Sequence, residues 1–278
     1  MYTKRKAHVS MPHTASSRLK AASRGGFRTK ALYGNPGTTE GRRKGGLRSI
    51  QVQHARTQAS GCPSTGFQLR KTFSHPRRSA LLAELIGIIL GDGCVAPYQV
   101  QICFNRSKEQ VHKQHICTTI MRLFALHPSV YYRHHENAGY IVVSSIALTE
   151  YLTEMGLRRY PKRIPRWILQ SPRYRQACVR GLVDTDGSIF IHRYRVNGKW
   201  YEYLKLSFDN RSPMLLAEVA RILKRAGLSP RIESDQKVML DRQRDVQWYL
   251  DNIGSSNPVK LRASASRRVV PNGKATAC

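Results

Sequence analysis

The sequence predicts an α+β fold built from two similar halves, and three observations support this. From residue 79 onward, apolar residues alternate between helical and strand periods, and the same order of elements occurs twice. Each half also opens with an apolar helix that ends in Asp-Gly, at Gly91-Asp92-Gly93 and at Thr185-Asp186-Gly187. The order predicted for each half is helix, two strands, helix, two strands and helix.

The first half spans residues 79–157. Its predicted elements are a helix at 79–91, a short hairpin at about 94–104, a helix from 107 to about 125, strands near 129–135 and 139–144, and a closing helix at 147–155. Gly156 follows the closing helix, as is common at a helix C-terminus. A basic linker between the repeats, 158–170, leads into the second half.

The second half spans residues 171–258 and repeats this plan. Ser171-Pro172 is typical of a helix start. The elements that follow are a helix ending at Asp186, a longer hairpin at 188–208, a helix at 213–226, strands near 230–241 and a closing helix at 244–253. The tripeptide Asn-Arg-Ser follows both hairpins, at 105–107 and 210–212. This recurrence indicates an internal duplication.

Charge points to a polyanionic partner. The chain of 278 residues holds 47 Lys and Arg against 17 Asp and Glu, for a net charge of +30, and nucleic acid is the commonest polyanion. Residues 1–78 form a basic extension that is predicted to be largely disordered, and residues 259–278 form a basic tail. The extension is either a flexible solubilising tail or a set of phosphate contacts around residues 33–49.

The sequence also indicates the compartment in which the protein works. No stretch approaches the ~20 apolar residues of a membrane span, so no membrane contact is predicted. The six cysteines show no CxxC spacing, which favours free thiols in an intracellular, reducing compartment. Cytoplasm or nucleoid is expected, although the first thirty residues also have the composition of a transit peptide, which leaves an organelle open.

The two Asp-Gly helix ends need an explanation, because a helix C-terminus is already negative. One interpretation is a simple stop, with Gly in the left-handed conformation. Because the same ending occurs in both halves, a second interpretation is favoured. Gly87, Gly91 and Gly181 would let the two helices touch, bringing Asp92 and Asp186 into one small space. Like charges would repel there unless a hard cation such as Mg²⁺ binds, and on a basic protein the matching substrate is a phosphodiester.

Residues 85–93 (LIGIILGDG) and 179–187 (VRGLVDTDG) resemble the two signature motifs of the LAGLIDADG homing endonuclease family, in its single-chain, double-motif form. The resemblance covers about 80–258, including IPRWI at 164–168 and SNP at 256–258. It implies a saddle-shaped pseudo-dimer with the motif helices at the central interface and two sheets along the DNA. It also implies staggered cleavage of double-stranded DNA, with Asp92 and Asp186 as the catalytic acids.

The expected cofactor is Mg²⁺ or Mn²⁺, bound by Asp92 and Asp186 with help from the carbonyl oxygens of Gly91 and Thr185. The chain departs from the family at the sixth motif position, where Leu90 replaces the acid found at Asp184. Many relatives carry a Lys in the loop before the closing helix. The equivalent stretches here read Ser-Ser-Ile at 144–146 and Arg-Gln-Arg at 242–244, so turnover is slow or an arginine substitutes in one half.

Alternation in the hairpins predicts which side chains face DNA. Asn197-Gly198 favours a type I′ turn, which pairs Val196 with Lys199 and fixes the register. A polar and aromatic face of this kind fits the major groove, whereas the simpler interpretation is a solvated sheet face. The candidate DNA-binding residues are Ser188, His192, Tyr194, Lys199, Tyr201, Tyr203 and Lys205 in the second hairpin, and Gln99 and Gln101 in the first.

The linker between the repeats is rich in arginine and free of acids. Its basic residues are predicted to contact phosphates rather than bases, and they are Arg158, Arg159, Lys162, Arg163 and Arg166. His112, His115 and Cys117 have a spacing that a metal could use. Their helix is amphipathic, however, and this makes ordinary helix residues the favoured interpretation.

The sequence therefore predicts a monomeric, Mg²⁺-dependent, site-specific endonuclease that acts on a long target in double-stranded DNA. The alternative on the same fold is an RNA maturase that binds intron RNA, or a DNA-binding regulator that does not cleave. A basic, RNA-associated structural protein is a third class, but it would not account for two helices ending in Asp-Gly. Whether the protein is intron-encoded is left open.

Overall fold

A computed structural model describes residues 24, 26–32, 34, 37–60, 73, 75–134, 136–234 and 236–262. The chain divides into two compact units, and the boundary along the sequence lies between Leu69 and Arg70. The first unit contains a long helix, α1 (Thr39–Ser60), in the extension that was expected to be largely disordered. Its start is capped, since the Thr38 hydroxyl accepts the Gly41 N–H at 3.0 Å. Such a side-chain cap satisfies a backbone donor that the first helical turn leaves unpaired.

The second unit begins with the first repeat. Its elements are α2 (Ala80–Asp92), β1 (Gly93–Val95), β2 (Gln99–Asn105), α3 (Gln110–Phe124), β3 (Ser129–Tyr132), β4 (Ala138–Ser144) and α4 (Ile146–Glu154). Ser79 caps α2 by accepting the Leu82 N–H at 3.2 Å. Every residue of α2 from Leu82 to Leu90 is buried, as expected for a helix whose residues in this stretch are apolar except for Glu84.

The second repeat has the same order, after a one-turn helix in the linker that the sequence did not predict. The elements are α5 (Arg166–Leu169), α6 (Pro172–Asp186), β5 (Gly187–Val196), β6 (Lys199–Asp209), α7 (Pro213–Arg225), β7 (Arg231–Glu233), β8 (Lys237–Leu240) and α8 (Gln243–Asn252). A further helical stretch covers 258–262. Each predicted helix and strand of the two repeats has a counterpart close to its expected position.

The strands form two antiparallel sheets with matching order, β1-β2-β4-β3 and β5-β6-β8-β7. The predicted α+β class with two repeats is therefore confirmed. Each sheet packs one face onto the apolar core, and β2 shows this as strict alternation, with Val100, Ile102 and Phe104 buried. The helices α2 and α6 lie at the centre of the core, where their residues pack with those of both sheets.

The hairpin β5–β6 has the register that the sequence predicts. Val196 pairs with Lys199, and the pairing continues to Gly187 and Phe208. Asn197 and Gly198 both have positive φ, 48° and 78°, as a type I′ turn requires. Among the residues that the structure describes, no helix has the length and apolar character needed to cross a membrane.

Candidate active site at the ends of the two motif helices

The helices α2 and α6, called the motif helices below, touch through their backbones. A Cβ atom added to Gly87 would overlap the carbonyl oxygen of Cys178, and one added to Gly181 would overlap that of Glu84. Because both obstacles are backbone atoms, relief would require one helix to shift. The structure thus places Gly87 and Gly181 at the helix interface, and the close approach makes the two helix ends converge.

Both motif helices turn directly into a strand. Gly93 has φ −96° and ψ 154°, and Gly187 has φ −96° and ψ 165°, so both are extended. This corrects the interpretation of Asp-Gly as a left-handed helix stop. Glycine is needed here for space, since a Cβ would overlap the carbonyl oxygen of Ile89 or of Val183. The tight turn fixes the preceding aspartate at the very end of each helix.

The two aspartates lie close together. A Cβ on Gly91 would stand 3.3 Å from Asp186 Oδ2, so Asp186 lies against the residue that precedes Asp92. Although Asp92 reaches solvent, the surrounding protein withdraws its carboxylate from water and raises its pKa to about 6, and the charges of Asp186 and Glu109 act in the same direction. Burial also raises the pKa of Asp186. The pair has the excess negative potential that favours a cation.

Two lysines already reach this place, one at each motif helix. Their ammonium groups donate to backbone carbonyl oxygens at the negative helix ends. Lys162 donates to the carbonyls of Leu90 at 2.7 Å and Gly91 at 3.2 Å, and Lys260 donates to those of Thr185 at 3.0 Å and Gly187 at 2.6 Å. Both lysines lower the pKa of Asp92 and of Asp186, opposing the effect of burial.

These lysines come from segments that sequence reasoning did not consider for this role. The expected loop before the closing helix has none, but the segment after each closing helix does. Lys162 lies six residues beyond Gly156, and Lys260 six residues beyond Gly254. Both glycines have positive φ, 88° and 69°. Equal spacing from the two helix-ending glycines is a sequence signal that would have found both lysines.

The loops before the closing helices serve other purposes. Ser145 caps α4 by accepting the Leu148 N–H at 3.3 Å. Arg242 donates to the Ser229 hydroxyl at 2.9 Å, and Arg244 pairs with Asp245 at 3.5 Å. The cations that act on Asp186 are Lys162 and Lys260. An arginine substitute for the lysine is therefore not needed to account for the charge balance.

The sixth motif position differs between the halves. Leu90 is buried in the apolar core. Asp184 is equally buried, but it accepts bonds from the Ser255 hydroxyl and, at 2.8 Å, from the Ser256 N–H. Burial raises the pKa of Asp184 to about 6 in spite of these bonds. Asp184 therefore anchors the segment containing the Ser-Asn-Pro sequence, which in turn carries Lys260.

A second buried acid joins the motif helices near the point where Gly181 approaches the backbone of the other helix. Glu84 accepts bonds from His115 at 2.9 Å, from Ser256 at 2.6 Å and from Arg180. Burial alone would raise the pKa of Glu84, but hydrogen bonds from His115, Arg180 and Ser256 bring it down to about 2. His115 thus has a structural partner. Within the described residues, no cluster of three His, Cys, Asp or Glu side chains suited to a metal occurs.

The donors at the helix ends match a hard divalent cation. Asp92 and Asp186 supply carboxylate oxygens, the hard ligands that Mg²⁺ and Mn²⁺ prefer. The carbonyl oxygens of Gly91 and Thr185 accept lysine N–H groups, so each has only one remaining lone pair. The carboxylates are therefore the principal candidate ligands, while the carbonyl contribution expected from the sequence is shared with lysine.

The outer face of the hairpin β5–β6 is polar and aromatic. Tyr194 stacks on Tyr201 and Tyr203, with ring centroids 5.6 and 5.7 Å apart, and His192 lies 5.7 Å from Tyr194. Ser188 and Lys199 are exposed on the same face. Lys205 is half-buried and pairs with Asp241 at 2.9 Å. Pairing between β6 and β8 ends at Leu206. On the side of Leu206 that leads to the hairpin turn, β5 and β6 continue as a two-stranded ribbon.

The first sheet presents a shorter surface. Gln99 and Gln101 are half-buried on its outer face, where the Tyr131 hydroxyl donates to Gln101 Oε1 at 3.1 Å. The predicted phosphate-contact residues of the linker fall into two groups by their exposure to solvent. Lys162 is half-buried at the motif helix end, while the other four are exposed, namely Arg158, Arg159, Arg163 and Arg166. A cleft of about 890 Å³ opens beside Lys162 and Asp186.

Residues 173–264 match the family model of the LAGLIDADG-like domain. This segment contains Asp186, Asn210 and Lys260. No curated protein sequence matches the chain. Among solved structures, the chain is similar to I-DmoI in complex with DNA and Ca, with 22% identity over 68% of this chain and 97% of that chain and a TM-score of 0.47.

Two other solved structures show the same level of similarity. One is I-DmoI in complex with DNA and Mn, with 21% identity, 63% of this chain and 97% of that chain covered, and a TM-score of 0.44. The other is full-length DUF199/WhiA from Thermatoga maritima, with 14% identity, 71% and 64% coverage and a TM-score of 0.45.

Proposed function

We propose that the protein is a site-specific endonuclease for double-stranded DNA that uses Mg²⁺ or Mn²⁺. The observation that supports this most is the pairing of Asp92 and Asp186 at the converging ends of two helices, each beside a lysine. Simple helix termination would require neither the carboxylate pair nor the lysines. The net charge of +30 and the polar outer faces of the two hairpins are consistent with DNA as the substrate.

Each residue has a distinct task in this proposal. Asp92 and Asp186 hold the divalent cation, which when bound supplies Lewis-acid activation of water and of the scissile phosphate. Lys162 and Lys260 keep the helix ends from repelling the phosphate backbone. The raised pKa of Asp92, about 6, leaves it ionised at neutral pH and ready to bind a cation. The tyrosine face of the ribbon, with Gln99 and Gln101, contacts base edges.

A second candidate is a protein that binds nucleic acid on the same fold without cutting, either an RNA maturase or a DNA-binding regulator. One observation favours it. Lys162 and Lys260 already donate to the carbonyl oxygens at the negative helix ends, so part of the charge that a metal ion would balance is met by the chain itself. The basic extension and tail would serve such a protein equally well.

Cleavage of a randomised duplex library, with sequencing of the product ends, separates the two candidates. We expect defined staggered ends that require Mg²⁺ or Mn²⁺. Asp186→Asn should abolish cutting of at least one strand, because the neutral amide is a poorer ligand for a hard cation than the carboxylate. The affinity for DNA, measured in Ca²⁺, should change by less than about threefold, because asparagine has the same shape and keeps the packing. Asp251→Asn is the matched control, because Asp251 is exposed on α8, where it accepts a hydrogen bond from Gln247 at 2.9 Å, and is not among the described residues that line the cleft.

The opposite outcome is equally clear. If folded protein selects DNA or RNA sequences but cuts none in either metal, the endonuclease proposal is wrong. If Asp186→Asn weakens DNA binding strongly while Asp251→Asn does not, the motif aspartate has a structural role in DNA binding beyond holding the metal ion.

A further inference from the structure

The two Asn-Arg-Ser tripeptides occupy equivalent positions, yet their asparagines make different contacts. Asn105 Oδ1 accepts the N–H groups of Ser107 at 3.2 Å and Lys108 at 3.0 Å. Asn210 Oδ1 likewise accepts the Ser212 N–H at 2.9 Å. In addition, Asn210 Nδ2 donates to Asp186 Oδ2 at 2.7 Å. Both asparagines therefore cap a turn, but only the second one holds an aspartate of the motif pair.

The first half has no counterpart of this bond. Within the part of the chain that the structure describes, the Asp92 carboxylate accepts no hydrogen bond. It faces Glu109 instead, whose negative charge raises the pKa of Asp92. Glu109 stands four residues after Asn105, and the equivalent position after Asn210 is Met214. Each motif aspartate thus has a neighbouring acid that raises its pKa, Glu109 for Asp92 and Asp209 for Asp186, but only Asp186 has a hydrogen-bond donor among the described residues.

The two carboxylates also differ in their position relative to the cleft, although Asp92 is the more exposed residue of the two. The cleft of about 890 Å³ is lined by Asp186 and Asn210, together with Gly91 and Lys162, whereas Asp92 is not among the described residues that line it. A phosphate entering this cleft would meet the carboxylate that is already oriented. Orientation matters because a hydrogen-bonded ligand side chain loses less freedom when a cation binds.

We propose that Asn210 is a positioning residue that orients Asp186, and that the two DNA strands are therefore cut in a fixed order, beginning with the strand served by the Asp186 half. This proposal rests on the proposed endonuclease function. Removing a hydrogen-bond partner of a metal ligand costs about 10- to 100-fold in affinity or activity. Asn210 should have an effect of that size on one strand, and Asn105 should not.

Strand-specific kinetics test the order of cutting. A target duplex from the library is labelled with a different fluorophore on each strand and cut under single-turnover conditions in Mg²⁺ by the full-length protein. In the wild type, one strand should be nicked first. Asn210→Ala should slow that same strand about 10- to 100-fold and the other less than about threefold, removing or reversing the order. Asn105→Ala loses an equivalent turn cap and is the matched control, with the order retained.

Calorimetry of Ca²⁺ binding to the protein–DNA complex gives a readout that does not depend on cleavage. Asn210→Ala should weaken one Ca²⁺ site by about tenfold or more, and Asn105→Ala by less than about threefold. Equal nicking rates in the wild type, equal slowing of both strands by Asn210→Ala, or the same effects from Asn105→Ala would overturn the proposal. If no strand is cut, the endonuclease function fails, while unequal Ca²⁺ affinities would still support the role of Asn210.

Discussion

Midway along the motif helices, the two repeats present the same surface to each other, but at the helix ends they do not. Gly87 and Gly181 play interchangeable parts, since each lets a carbonyl of the opposite helix approach. At the ends, Asp92 faces Glu109, whereas Asp186 accepts a bond from Asn210. The two lysines and the glycines that follow the aspartates, Gly93 and Gly187, keep the symmetry there.

The comparison shows that packing and chemistry place different demands on a duplicated fold. Two helices in backbone contact need a small residue on each side, because the obstacle is the same from both directions. A pair of carboxylates has no such requirement, and each can take partners from its own repeat. The duplication therefore conserves the interface and leaves the polar surroundings free to differ.

The largest effect is expected from breaking the symmetric part. Gly87→Ala and Gly181→Ala should each destabilise the fold by about 3 kcal/mol or more, because the added methyl group meets backbone that can move only with its helix. Thermal unfolding would show a loss of roughly 6–12 °C in Tm for each. Gly91→Ala meets the Thr185 side chain instead, so a smaller loss is expected. Clearly unequal losses from Gly87→Ala and Gly181→Ala would contradict the symmetry.

An intermediate effect should come from the sixth motif position. The pKa of Asp184 is raised to about 6 by burial. Between pH 4 and 7 the unfolded state therefore binds fewer protons than the folded state, and stability falls as pH rises. A shift of this size corresponds to about 3 kcal/mol across that range. Asp184→Asn should flatten the decline of Tm between pH 4.5 and 7, leaving the part due to Asp92, Asp186 and Glu218, whose pKa values are also raised.

The control for this prediction is Leu90→Met, which changes the equivalent position of the first motif without adding a titratable group. It should lower Tm by a similar amount at every pH, and the slope should stay as in the wild type. If Asp184→Asn leaves the slope unchanged, Asp184 is ionised throughout and its contacts with Ser255 and Ser256 outweigh the effect of burial.

The smallest effect is expected from the lysines. Lys162→Met and Lys260→Met should each cost about 0.3–1 kcal/mol, the usual value of a cation at a helix C-terminus. Each should also raise the pKa of Asp92 and Asp186. Lys260 acts more strongly than Lys162 on Asp92, and Lys162 more strongly on Asp186. A ¹³C NMR titration of the metal-free protein should show this crossed pattern, and identical shifts from the two variants would argue against it.

Local patterns account for what was predictable in the fold. The turn at Asn197-Gly198 fixed the register of ten residue pairs between β5 and β6, because a type I′ turn admits one alignment. Alternation in β2 identified Val100, Ile102 and Phe104 as buried. The sequence does not predict the helix α1, because residues 39–60 have no apolar period and the cap at Thr38 is the only local signal of a helix start.

The sequence by itself determined the two repeats, the strand register and the presence of an aspartate at each motif helix end, since these depend on residues close together along the chain. Only the tertiary structure decided which partners the aspartates have. Lys162 and Lys260 reach the helix ends from about 70 residues away, and the bond from Asn210 to Asp186 spans 24 positions. Such contacts depend on how packed helices and hairpins bring distant segments together, and no local period encodes that.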